Sequence, residues 1–161
     1  MRNITIFFKM AKFKIFIFCS ILALIFGCNK NNQDRPLIPY TPINRQININ
    51  DPLYSDLKII GGHVYLHNDG ARGVIVVHDY FDNIIALERN CPYNSSDECS
   101  RVTVEKNRAT IRCGQYDGTG EWIACCNSKF NLEGLLLEGP SQYSLLKYNV
   151  SRSGDILLIT N

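Results

Sequence analysis

Short segments with the residue pattern of β-strands recur through this chain after residue 60, and turn residues separate them. Residues 62–66 alternate between apolar and polar side chains, and residues 73–78 are rich in β-branched ones. Similar segments follow at 83–88, 101–104, 109–112, 145–150 and 155–159. No segment after residue 27 sustains the apolar period of an amphipathic helix. The pattern predicts an all-β fold, a sandwich or barrel of short antiparallel strands.

The N-terminal segment has the features of a secretion signal. Basic residues precede an apolar run over residues 15–26, which is too short to span a bilayer comfortably. The run ends in Ile25-Phe26-Gly27-Cys28, which resembles a bacterial lipobox, whose cysteine is acylated after cleavage. We expect residues 1–27 to be a lipoprotein signal peptide and Cys28 to anchor the chain to a membrane by lipid. An uncleaved anchor or a plain signal peptide is the alternative.

Removal of this segment changes the charge of the chain. Four of the 17 basic residues and none of the 15 acidic ones lie in it, so the formal net charge changes from +2 to −2. The remaining chain has no basic pattern, which argues against a nucleic-acid partner. The expected location is the bacterial cell envelope, on its periplasmic or surface face.

Composition divides the rest of the chain into two parts. Residues 28–50 are polar and contain three prolines, and we interpret them as an acylated N-terminus and a tether, whose later part can drape over the domain. Residues 51–161 are expected to form one β domain, since they are long enough for a single hydrophobic core.

A cysteine-containing motif in the second half suggests a family. Residues 124–130 read Ala-Cys-Cys-Asn-Ser-Lys-Phe, and Gly134 and Gly139-Pro140-Ser141 follow. This motif resembles the second cluster-binding loop of Rieske proteins, and Cys91-Pro92 resembles the start of the first loop. The resemblance covers about residues 60–161. It is closest to Rieske-like lipoproteins of Bacteroidetes-type bacteria, and it implies a Rieske-like all-β fold with two cysteine-bearing loops.

The resemblance also locates the positions of the cluster ligands. A Rieske [2Fe–2S] cluster uses two cysteines and two histidines. The family's ligand positions fall on Cys91, Tyr93, Ile123 and Cys126 of this chain. Isoleucine has no donor atom, neutral tyrosine is a poor ligand for this iron, and the three histidines of the chain all lie between residues 63 and 78. We therefore expect no cofactor, with a [2Fe–2S] cluster or zinc as the alternative.

The family's loop-to-loop disulfide falls on Cys99 and Cys125, and an exported protein can keep such a bond. It would close a loop of about 26 residues, a contribution of about 3 kcal/mol in the chain-entropy model. A second disulfide, Cys91–Cys126, would leave Cys113 free. Because Cys125 and Cys126 are adjacent, the pairs could instead be Cys91–Cys125 and Cys99–Cys126.

A thiolate metal site is the other interpretation of these cysteines. Zinc or iron would be held by Cys91, Cys99 and Cys126 with Cys113 or Cys125. The separation of Cys91 from Cys99 is longer than the spacing of a zinc knuckle, which favours disulfides over a metal.

Three functional hypotheses follow. The first is an envelope lipoprotein that has lost the cluster and serves, without enzymatic activity, as a disulfide-stapled binding or accessory module for an envelope protein. The second is an electron-transfer protein with a non-standard [2Fe–2S] or cysteine-ligated metal centre. The third is a thiol–disulfide redox protein that uses the adjacent Cys125 and Cys126, since a bond between neighbours is strained and labile.

Overall fold

The structure, a computed structural model, describes residues 38–161. The expected signal peptide, Cys28 and the first part of the expected tether lie outside the described residues. Ten strands and one short 3-10 helix, Pro52–Lys58, make up the described chain. The strands are β1 (Asn44–Asn48), β2 (His63–Leu66), β3 (Val74–His78), β4 (Ile84–Glu88), β5 (Val102–Val104), β6 (Thr110–Tyr116), β7 (Trp122–Asn131), β8 (Leu136–Glu138), β9 (Lys147–Ser153) and β10 (Ile156–Thr160). The all-β prediction is confirmed.

The strands form two antiparallel sheets. The larger sheet has the order β1-β10-β9-β4-β3-β2, and the smaller has the order β5-β6-β7-β8. The four strands of the smaller sheet lie in sequence between β4 and β9, which are neighbours in the larger one. The smaller sheet, which carries three of the five cysteines of the described residues, is therefore an insertion into the larger sheet.

Strand β3 contributes to two hydrophobic cores, which explains its unbroken run of apolar residues. Val74 and Val76 pack with the strands of the larger sheet in a first core, together with β1 and β10. Ile75 and Val77 pack against the smaller sheet in a second core, where Phe130 is the largest fully buried side chain. Because successive side chains of a strand point to opposite faces, a strand between two cores needs apolar residues at every position.

Residues 43–50, which the sequence analysis assigned to the tether, pair and pack with the β domain in the structure. Strand β1 pairs along its whole length with β10, and Ile43, Ile47 and Ile49 are buried in the first core. The polar residues between these isoleucines are exposed and gave the segment the composition of a tether. Composition alone hid a strand with one buried and one exposed face.

A buried carboxylate joins the β2–β3 turn to the chain that leaves β4 and to β9. Glu88, at the end of β4, is fully buried and accepts hydrogen bonds from the backbone N–H groups of Ala71, Arg72 and Asn90 at 2.8–3.0 Å. Its fourth donor is the hydroxyl of Tyr148 at 2.6 Å. Burial and the neighbouring Glu88 raise the pKa of Tyr148, which keeps this hydroxyl a donor. The carboxylate fixes the β2–β3 turn against the chain that leaves β4.

No helix among residues 38–161 has the length and apolar character that a membrane crossing requires.

Candidate functional site

The first loop, residues 89–101, leaves β4 and returns to β5. An isolated antiparallel bridge between Asn90 and Arg101 closes its base. Inside the loop, the fully buried hydroxyl of Ser100 lies 3.2 Å from the carbonyl oxygen of Cys91 and 3.1 Å from that of Tyr93. The hydroxyl has one proton to donate to these two carbonyl oxygens, and the contacts hold Cys91 at the entrance of the loop.

Arg72, in the β2–β3 turn, holds the outer part of the first loop. Its guanidinium donates to the carbonyl oxygen of Glu98 at 2.7 Å, and it lies 3.4 Å from the carbonyl oxygens of Ser95 and Ser96. The sequence analysis did not identify Arg72, because it comes from a turn far from both cysteine motifs.

The second loop is a bulge in β7. On this strand Ala124 and Lys129 both pair with β6, but only Cys113 separates their two partners. Residues 125–128 therefore oppose a single residue, and they leave the plane of the sheet. Gly114, the partner of Ala124, has a φ of 138°, a conformation that other residues rarely adopt. The glycine lets the two strands approach just before the bulge.

A disulfide between Cys99 and Cys125 joins the two loops. The two Cα atoms lie 5.4 Å apart, and the bond closes a segment with a sequence separation of 26. The disulfide that the family resemblance implied is confirmed. The alternative pairs Cys91–Cys125 and Cys99–Cys126 are not formed. The third hypothesis requires a disulfide between Cys125 and its neighbour Cys126. Cys125 is bonded to Cys99 instead, so the structure does not contain that disulfide.

The remaining three cysteines of the described chain converge on one point. Cys91 at the start of the first loop, Cys113 on β6 and Cys126 in the bulge place their Sγ atoms within 4.8 Å of one another. Cys91 and Cys113 are fully buried, whereas Cys126 is half-buried. Cys91 and Cys126, the candidates for a second disulfide, are free thiols with their Sγ atoms 3.8 Å apart.

The contact between the Cys91 and Cys113 thiols shifts their pKa values in opposite directions. Hydrogen bonds lower the pKa of Cys91 to about 7 against the effect of burial, and the contact with the Cys113 thiol is the largest of them. The same contact, with burial, raises the pKa of Cys113. Within this pair, the Cys113 thiol donates a hydrogen bond to the sulfur of Cys91, which favours the thiolate form of Cys91.

Ser128 and the turn that follows β8 support the bulge from behind. Ser128 is fully buried, and its Oγ accepts a hydrogen bond from the backbone N–H of Ser141 at 3.1 Å. The Sγ of Cys126 lies 3.3 Å from the same oxygen. Gly139 passes so close to the bulge that a methyl group there would overlap backbone atoms of Asn127 and Ser128. This contact accounts for the glycine at position 139.

The side chains at the four family ligand positions do not point to one centre. Cys91 and Cys126 lie together, but Tyr93 is 43% exposed and Ile123 is 52% exposed. The chain's three histidines lie elsewhere, on β2, just after β2, and at the end of β3. A Rieske cluster needs two imidazoles on one of its irons. The donor set of these loops does not fit a cluster of that type.

The predicted four-cysteine metal set loses one member. Cys99 is bonded to Cys125 and cannot serve as a thiolate, so Cys91, Cys113 and Cys126 remain. Among residues 38–161, these three form the group of potential ligands that the fold brings within range of a single ion. The sequence analysis named Cys113 only as an alternative to Cys125 in this set, because its contact with Cys91 depends on how β6 packs against the first loop.

Comparison with known proteins supports the fold. The structure is similar to the crystal structure of PetC3, a plasma-membrane Rieske protein from the cyanobacterium Synechocystis, with 24% sequence identity and a TM-score of 0.50. The similarity covers 70% of this chain and 97% of that one. No protein-family model matches the chain, and no curated protein matches it in sequence. With two sheets, two cysteine-bearing loops and a disulfide between them, this chain has a Rieske-like fold.

Proposed function

We propose that this chain is a non-enzymatic accessory domain of the bacterial cell envelope, whose Rieske-like fold has lost its [2Fe–2S] cluster. The observation that carries the proposal is the pair of residues at the vacated ligand positions. Tyr93 and Ile123 stand where the family resemblance puts a histidine and a cysteine, and both residues are about half exposed to solvent. The absence of an enzymatic role rests on the sequence, which contains no nucleophile elbow and no phosphate-binding loop.

Iron analysis tests the loss of the cluster. The full-length protein is produced in a bacterium that assembles iron–sulfur clusters and purified anaerobically in detergent. We expect iron and acid-labile sulfide well below one per chain and no visible absorption. PetC3, produced in parallel, is the control for cluster assembly. Two irons and two sulfides per chain, with visible bands, would contradict the proposal.

The membrane anchor is the second part of the proposal. The lipobox-like residues Ile25-Phe26-Gly27-Cys28 support acylation at Cys28, with the polar residues that follow as a tether. Cys28→Ser should abolish labelling of the protein with radioactive palmitate and release it from the membrane fraction. Cys19→Ser, a cysteine change inside the apolar run, is the matched control and should keep both. Equal labelling of the two variants would exclude Cys28 as the lipid attachment site.

An electron-transfer role is a second candidate, and the convergence of Cys91, Cys113 and Cys126 favours it. In this case the protein would hold iron at the three thiols. Iron without sulfide, together with a reversible one-electron reduction, would support this candidate over the first.

A further inference from the structure

Three buried or half-buried thiols remain unused by the disulfide of this domain. Cys91, Cys113 and Cys126 come from three separate segments: the first loop, β6 and the bulge of β7. The Cys99–Cys125 bond lies directly beside this cluster, since Cys125 precedes Cys126. The Cys99–Cys125 bond therefore helps to hold the three thiols together, although none of their own sulfur atoms takes part in it.

We propose that Cys91, Cys113 and Cys126 bind one Zn²⁺ ion, with the fourth coordination position open on the side of Cys126. The proposal goes beyond the accessory function above, which requires no metal. It assigns the ion to three side chains, of which only Cys91 and Cys126 occupy family ligand positions.

The spacing of the sulfurs fits a single tetrahedral ion. Zinc–sulfur bonds of about 2.3 Å at tetrahedral angles separate two ligand sulfurs by about 3.8 Å. The Sγ atoms of Cys91 and Cys126 lie 3.8 Å apart, and Cys113 lies within 4.8 Å of both. Small side-chain adjustments would bring the third sulfur to the same distance. Three ligands around one point suit a mononuclear ion better than a two-iron cluster, whose ligands divide between two metal atoms.

The chemistry of the donors selects the kind of metal. Three thiolates are soft ligands, which favour zinc and other thiophilic ions over magnesium or calcium. Sites with three protein ligands leave the fourth zinc position to water or another small ligand. Cys91 and Cys113 are fully buried, so the half-buried Cys126 marks the side from which such a ligand would enter.

Groups around the cluster are positioned to orient the sulfurs. The backbone N–H of Tyr93 donates to the sulfur of Cys91. The Oγ of Ser128 lies 3.3 Å from the sulfur of Cys126 and is itself fixed by the N–H of Ser141. Hydrogen bonds of this kind around a metal ligand set its orientation and strengthen binding.

The competing fate of the cluster is oxidation. Formation of a disulfide between Cys91 and Cys126 would transfer two electrons to an external oxidant and release two protons. Cys113 would then be left as a lone thiol. The two outcomes are mutually exclusive, because a disulfide sulfur is no longer a thiolate ligand. They can therefore be separated by site-specific thiol mapping.

Cobalt substitution provides the direct test. The full-length protein is purified anaerobically in detergent, depleted of metal and titrated with Co²⁺. We expect one Co²⁺ per chain, with the intense visible absorption of tetrahedral cobalt and sulfur-to-cobalt charge transfer in the near ultraviolet. Added Zn²⁺ should abolish both signals at one equivalent. Absence of these bands while Cys91, Cys113 and Cys126 are all alkylatable in the metal-free protein would overturn the proposal.

Variants then assign the ligands. Cys126→Ser, at the least buried of the three positions, should weaken Co²⁺ affinity more than about 100-fold, since loss of a ligand exceeds the effect of an outer-shell partner. Ser128→Ala should weaken it about 10-fold. His67→Ala, which changes an exposed imidazole outside the cluster, is the control and should bind cobalt unchanged. Unchanged affinity in Cys126→Ser, with its fold verified by circular dichroism, would contradict the assignment.

The same samples separate this proposal from the proposed function. If the protein contains zinc and no iron, and bound zinc protects the three thiols from alkylation, both the zinc site and the proposed loss of the cluster are supported. A Cys91–Cys126 disulfide in the anaerobically purified protein overturns the zinc site and leaves the loss of the cluster intact. Iron and sulfide in equal amounts overturn both.

Discussion

Glu88 accepts hydrogen bonds from three backbone N–H groups and from the Tyr148 hydroxyl, all at a site closed to water. A glutamine at this position would turn its NH₂ group toward groups that are themselves donors. A buried donor without an acceptor costs about 1–3 kcal/mol, and the lost charge weakens the remaining bonds. We expect Glu88→Gln to lower the free energy of unfolding by about 3 kcal/mol, measured by urea denaturation.

Tyr148→Phe is a milder change at the same site and serves as the control for Glu88→Gln. It removes one donor and leaves the three backbone donors, so the loss should be smaller, about 1–2 kcal/mol. If Glu88→Gln were as stable as the unchanged protein, the carboxylate would not be needed in its charged form.

Asp79 holds the turn between β3 and β4 and makes stability depend on pH. Burial raises the pKa of this carboxyl, but hydrogen bonds from the backbone and side chain of Asn83 and from the Phe81 N–H outweigh it, so the pKa is lowered. A lowered pKa in the folded state stabilises the protein fully above the unfolded value of about 3.9. The contribution is lost as the pH falls through the folded pKa.

Asp79→Ala should therefore be less stable than the unchanged protein by about 2 kcal/mol near pH 7, with the difference shrinking below about pH 4. Urea denaturation at a series of pH values from 7 down to 3 measures the difference. Asp79→Asn keeps an acceptor oxygen but cannot ionise, and its cost should vary less with pH. A difference between Asp79→Ala and the unchanged protein that stays constant down to pH 3 would disprove the linkage.

Some residue contacts could be predicted from the sequence and others could not. Cys99 and Cys125 could be paired because the family resemblance supplied both positions. The choice between Cys113 and Cys125 as a ligand stayed open, since the contact of Cys113 with Cys91 joins two segments whose packing no local pattern encodes. Glu88 was missed for the same reason: in sequence it is simply the charged end of a strand, and its burial arises from the turn that folds over it.

At the scale of elements, the bulge of β7 depends on the chain that passes behind it. Gly139 has a φ of 106°, and a methyl group there would overlap the backbone of residues 127 and 128. Because backbone cannot move aside as a side chain can, Gly139→Ala should destabilise the protein by about 2–3 kcal/mol. Thermal denaturation followed by circular dichroism measures the change.

Gly118→Ala is the matched control in the β6–β7 turn. A methyl group at Gly118 would meet no atom within 4 Å, and its backbone needs no positive φ. This variant should keep the stability of the unchanged protein within about 0.5 kcal/mol. Equal effects of the two alanines would mean that the contact behind the bulge is unimportant.

Strands were predicted correctly where apolar residues occupy every position or every second position of the segment. The segments predicted at 73–78 and 83–88 correspond to β3 and β4. Strand β7 was interpreted as a loop, because its cysteines, asparagine and serine lack the alternation of a strand. The bulge explains this failure, since it interrupts the two-residue period within the element itself.

At the scale of the whole molecule, β3 couples the two cores. Val76 lies in the first core and Val77, its neighbour, in the second. A change on either face should therefore destabilise the domain as one unit. The chain's single tryptophan, Trp122 on β7, packs edge-to-face on Tyr116 at 4.9 Å and reports on the smaller sheet.

We expect Val76→Ala to lower the free energy of unfolding by about 2 kcal/mol, with coincident transitions in Trp122 fluorescence and in far-ultraviolet circular dichroism. Val77→Ala, on the opposite face, should behave alike in both signals. If Val76→Ala shifted the circular dichroism transition but left the fluorescence transition in place, the two sheets would unfold independently.

The disulfide between the two loops also determines what a substitution at a family ligand position does to the fold. In a domain whose loops are joined only by a bound group, replacing a ligand residue removes the group and the cross-link together. Here Cys99 and Cys125 keep the loops joined whatever stands at Tyr93 or Ile123. Under the proposed loss of the cluster, changes at the ligand positions would leave the two loops joined, so the loop tips could diverge toward new surfaces while the scaffold beneath them stayed intact.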